Sequence, residues 1–117
     1  MLPLFLSLSI AICFITLKQT KYKMQFEAFK QSLDHSSPPE GVSIHLIAMW
    51  YDARHDWDRA HRMVDHLEDS NGCWVHAYLH RKEGDVGNAD YWYHRANKKR
   101  PSVSLDEEWE MIVKELL

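Results

Sequence analysis

The sequence predicts an all-α fold: an array of two αα-hairpins, with an N-terminal helix before them and a C-terminal capping helix after them. Three observations carry this. Apolar residues between the breaks recur at a period of 3.6 rather than 2. Two stripes with identical offsets, Trp57/Ala60/Val64/Leu67 and Val86/Ala89/Tyr93/Ala96, stand 29 residues apart. Each stripe follows an aspartate placed as an N-cap, Asp56 or Asp85, and each is preceded by another helical segment, 43–54 or 73–83, so one supersecondary unit occurs twice.

The chain opens with an apolar segment, residues 1–23. Leu2 to Leu17 carries no charge and as a helix would span roughly 24 Å, short of a hydrocarbon core of ~30 Å. No basic region precedes it and no small-residue cleavage site follows, as a signal peptide would require. Lys18, Lys21 and Lys23 come after it, so a retained span would leave the rest of the chain in the cytoplasm. Three readings stay open: a true start at Met24, a short membrane anchor, and a cleaved signal. The domain proper is residues 24–117, expected to be cytoplasmic, and membrane-anchored if translation starts at Met1.

Within it, "MQFEAFKQSL" starts a helix with Phe26, Phe29 and Leu33 on one side. The consecutive prolines of "HSSPPEG" (35–41) exclude a helix interior and make a linker. Residues 43–54 are apolar on most sides, which suits the middle of a bundle. "EDSNG" (68–72) and "KKRPSVS" (98–104) are further breaks. The last segment begins with Ser104 and Glu107 at capping-box spacing. It then places Leu105, Trp109, Ile112, Val113 and Leu116 on one side, opposite an acidic face that includes Glu107, Glu108 and Glu110.

Gly84-Asp85 at a turn, then Ala89, Tyr93, Ala96 and Pro101, with Ala77 in the preceding helix, resemble a tetratricopeptide repeat. Small residues let paired helices approach, the tyrosine fills the gap between them, and the proline ends the unit. The first unit keeps Ala48, Tyr51, Asp56 and Ala60, but has His55 at the usual turn glycine and Val64 at the aromatic position. The resemblance covers residues 43–101. "WYDARHDWDRAH", "WVHAYLHRKEGD" and "ADYWYHRA" are also similar to small repeat-like proteins that begin near Met24.

Composition narrows the function. Residues 24–117 hold 11 basic and 17 acidic side chains, a net −6, a poor basis for neutralising nucleic-acid phosphates. Lys98-Lys99-Arg100 ends a helix, where cations favour the negative dipole end. Cys13 and Cys73 make no disulfide framework, and Cys73 beside Trp74 is expected to be buried. No catalytic residue and no cofactor is assigned. Cys73 and His76 lack an orienting partner, and the serines lie in linkers and caps.

What remains is a surface. The resemblance implies a concave side lined by the first helix of each unit, exposing His45, Met49, Asp52, Trp74, Tyr78, Arg81 and Lys82. Trp74, Tyr78 and Arg81 share a helical face by spacing alone, and these residue types are enriched at binding hot spots. The expectation is a non-enzymatic module holding a protein or peptide segment, with Arg81 and Lys82 selecting an acidic or carboxylate-bearing one. The alternative is a histidine-based metal site. His76 and His80 are i, i+4, with His61 and Asp65, or Asp90 and His94, as further ligand pairs. The plainer expectation for these imidazoles is burial beside carboxylates with no metal bound. A purely structural domain that works as a homo-oligomer, its exposed ends covered by a second copy, is the third reading.

Overall fold

A computed structural model describes residues 24–117. The three readings of the apolar N-terminal segment fall outside the described residues. Among those residues there are six α-helices and no strand: α1 Phe26–Ser32, α2 Ile44–Ala53, α3 Trp57–Val64, α4 Ser70–Lys82, α5 Val86–Arg95 and α6 Leu105–Leu116. None is long and apolar enough to cross a membrane. The all-α expectation holds.

The helix starts follow from side-chain chemistry. Ser43, Asp56, Asp69, Asp85 and Ser104 each accept an N–H of the first turn, from Leu46, Arg59, Gly72, Asn88 and Glu107 respectively. Glu107 reaches back to the Ser104 N–H, completing the capping box. Helix α4 begins three residues before the predicted 73, because Asp69 caps it and Ser70–Gly72 form its first turn. Gly72 is needed there: a Cβ would stand 2.7 Å from Leu67 Cβ and 2.8 Å from Asp69 Oδ1.

Helices α2, α4 and α5 end alike. His55, Gly84 and Asn97 take positive φ (66°, 90° and 57°). Each N–H donates three residues back, and the next residue's N–H donates five back: Asp56 to Tyr51, Asp85 to His80, Lys98 to Tyr93. This pairing satisfies the last carbonyls of each helix. His55 therefore performs the left-handed turn that a glycine performs in the second unit.

In the packing, α2 lies against α3, α4 against α5, α3 against α4, and both α2 and α4 against α6. Ala48, Ala60, Ala77, Ala89 and Ala96 are buried, so the backbones approach closely, and Tyr93 fills the space beside them. Val86 departs from its stripe. It is 40% exposed, because the first residue of α5 lies beyond the shared interface. Three indole N–H groups tie elements together: Trp50 to the Ser32 carbonyl, Trp57 to Leu79, and Trp109 to Met49.

Candidate functional site

The face expected to form an open groove is covered by α6. Trp109 donates to the Met49 carbonyl at 3.1 Å, and Met49 is fully buried. Arg81 donates to Glu108 Oε1 at 2.8 Å and to the Val103 carbonyl. Glu108 also accepts the Tyr93 hydroxyl at 2.7 and 2.6 Å, and it is 0% exposed. The acidic face predicted for α6 is thus wrong at Glu108, whose charge is matched by Arg81 from 27 residues away. Burial and the neighbouring carboxylate push the Tyr93 hydroxyl far above its ordinary pKa.

The other groove residues are also spoken for. Lys82 Nζ donates to both oxygens of buried Asp52 at 3.1 Å. Burial raises the Asp52 pKa, with Lys82 pulling in the opposite direction. Tyr78 and Trp74 are buried, with Lys98 Nζ 3.9 Å above the Trp74 ring, and His45 meets Asp69 at 2.7 Å. What stays open beside α6 is a cleft of about 400 Å³ between Phe26, Lys30, Asp52, Tyr78, Lys82 and Trp109.

A second constellation forms where α3 packs on α4. His76 and His80, one turn apart on α4, meet His61 of α3, and one ring nitrogen from each lies within 4.8 Å of the others. His61 Nε2 and His76 Nε2 are 3.0 Å apart, one donating to the other. His76 and His80 are buried and His61 half-buried. Of the two pairs that the sequence offered as partners, only His61 joins them. Asp65 pairs with His66, Asp90 pairs with Arg100, and His94 is exposed.

The surroundings fix each ring. Trp57 stacks on His61 (centroids 4.8 Å apart, planes at 8°) and Trp92 on His76 (4.0 Å, 24°). Glu83 Oε1 lies 2.7 Å from His80 Nδ1, and since a carboxylate only accepts, Nδ1 is the donor and Nε2 faces away from Glu83. A long 3.4 Å contact from the Asn88 amide is the partner of Nε2. Among the described residues nothing pairs with His76 Nδ1. Glu83, Asn88 and Trp92 were not singled out from the sequence, and Trp57 was read only as a stripe residue, although Glu83 stands three residues after His80 and Trp57 four before His61, both within reach on a helix.

Burial lowers the His76 pKa to about 4, with the neighbouring His61 and His80 adding to the effect. Burial also lowers that of His61, helped by His80. Both rings are therefore neutral at physiological pH and carry lone pairs, which is the state a metal ligand requires. Neither a family model, nor a curated protein, nor a solved structure matches this chain.

Proposed function

We propose that this protein binds one first-row transition-metal ion, zinc being the natural candidate, through His61, His76 and His80. The observation that carries this is the convergence of three imidazole nitrogens from two helices within 4.8 Å. Tetrahedral zinc with Zn–N bonds of about 2.0–2.1 Å needs ligand nitrogens ~3.3 Å apart, so ring adjustments of about an ångström suffice.

The donor set suits the ion. Three imidazole nitrogens without thiolate favour zinc, copper, nickel or cobalt over softer metals. Glu83 behind His80 is the carboxylate–histidine arrangement that orients a ligating ring and raises its basicity. Among the described residues His76 Nδ1 has no partner, so releasing Nε2 to a metal breaks no bond at Nδ1.

The concave face supports a different reading, an interaction surface whose occupant is the chain's own α6. Arg81 and Lys82, expected to select an acidic partner, meet acidic partners within the same chain.

Metal analysis of tag-free protein, together with equilibrium dialysis against Zn(II), tests the proposal. Close to one equivalent per chain is expected for the wild type. His61→Ala, at a half-buried position, should lose it while keeping its helical circular dichroism. Saturation at 100 times Kd should add about 2.7 kcal/mol to stability. A folded wild type that takes up no zinc, copper, nickel or cobalt at micromolar concentrations would overturn the reading.

A further inference from the structure

Resting on the metal-binding reading, we infer that the ion keeps one coordination position for an exchangeable monodentate ligand, water in the resting protein and a small anion in its place. The site is then an open Lewis-acid centre and not a closed structural clip.

Donor arithmetic carries this. Three imidazoles converge, and Asp85, which with Glu83 forms a second group around His80, caps α5 by accepting the Asn88 N–H. Glu83 is held on the far side of His80, at Nδ1. Asp65 lies outside the 4.8 Å cluster, with Oδ1 3.3 Å from His66 Nδ1. The Cys73 thiol, though three residues before His76, points to the Glu68 carbonyl at 3.7 Å. The indoles of Trp57 and Trp92, which wall the cluster on two sides, offer no lone pair. A tetrahedral ion bound here therefore has three protein ligands, and such sites complete their shell with water or substrate, whereas structural sites use four protein ligands.

Access points the same way. His76 and His80 are buried, but His61, midway along α3, is half-buried, so the cluster meets the surface at that ring. Asp58, Asp65 and Glu83 bear electrostatically on His61. They offset the charge of a divalent ion, so a small monoanion would compete with water only at raised concentration.

Cobalt(II) is the probe. The Co(II) protein should show the intense visible bands of a four-coordinate ion, and azide or thiocyanate should shift them saturably, one anion per metal. Exposed Asp65 is the protein group best placed to intrude, so Asp65→Asn should leave the starting spectrum unchanged and, with one opposing charge removed, lower the anion concentration needed for half-saturation. Bands that ignore both anions, or a starting spectrum altered by Asp65→Asn, would mean that a protein donor fills the fourth position and would overturn this inference while leaving metal binding intact. Failure to take up cobalt, zinc, copper and nickel alike would overturn both.

Discussion

Replacing Glu108 by alanine is expected to be among the most damaging single changes in the domain. The carboxylate is fully buried and accepts from the Tyr93 hydroxyl at 2.7 and 2.6 Å and from Arg81 at 2.8 Å. Truncation strands a phenol and a largely buried guanidinium. Removing one partner of a buried ion pair costs about 3–5 kcal/mol. Counting instead two hydrogen bonds to a charged group, at about 1.5–3 kcal/mol each, gives about 3–6 kcal/mol, an overlapping range. A domain of this size has a total stability of only about 5–15 kcal/mol. At about 4–8 °C per kcal/mol, Tm should fall by about 12–40 °C. Thermal and urea melts followed by circular dichroism would measure it, with Glu110→Ala as the reference. Glu110 lies two residues away and pairs with Lys114 at the surface, where such a contact contributes under about 1 kcal/mol. Equal midpoints for Glu108→Ala and Glu110→Ala would refute the internal triad of Arg81, Tyr93 and Glu108.

Other perturbations reach different features. His55 holds φ 66°, a left-handed conformation that costs a non-glycine residue about 1–2 kcal/mol. Setting that against about 0.5–1 kcal/mol of extra chain entropy for glycine, His55→Gly should gain about 0.5–1 kcal/mol in urea titrations. A loss would show that the histidine side chain contributes more than its backbone costs. In metal-free protein, His76 titrates near 4 when folded and near 6.5 when unfolded, so the unfolded chain binds more protons between those values. Its contribution is fully present above about pH 6.5 and is lost as pH falls toward 4. Urea midpoints measured across that window should decline, and His76→Gln should flatten the decline. A flat wild-type profile would contradict the burial of that ring.

The features legible in the sequence are local ones. Asp56 and Asp85 cap the helices that follow them, Ser104 and Glu107 close the capping box, and the alanines of both stripes are buried, because each depends on neighbours within a turn or on one helical face. The pair His76 and His80 was visible for the same reason. That His61 and not His94 completes it depends on which side of α4 receives α3, and neither stripe encodes that. Glu108 looked like one more acid on a solvated face, since its partners lie 15 and 27 residues away. The covered groove has the same origin. The Trp109 bond to Met49 spans 60 residues, and a repeat pattern describes what each hairpin presents but not which segment returns to fill it.

That distant contact has a consequence for biosynthesis. Helices α2 to α5 leave the ribosome ahead of α6, and until residues 105–116 follow, Met49, Trp74 and Tyr78 lack their cover and Glu108 has not yet reached Arg81. The nascent chain passes through an interval with a greasy flank and an uncompensated guanidinium. A messenger cut short before codon 105 would make that interval permanent, so such a product should bind chaperones and be cleared by proteases while the complete chain escapes both.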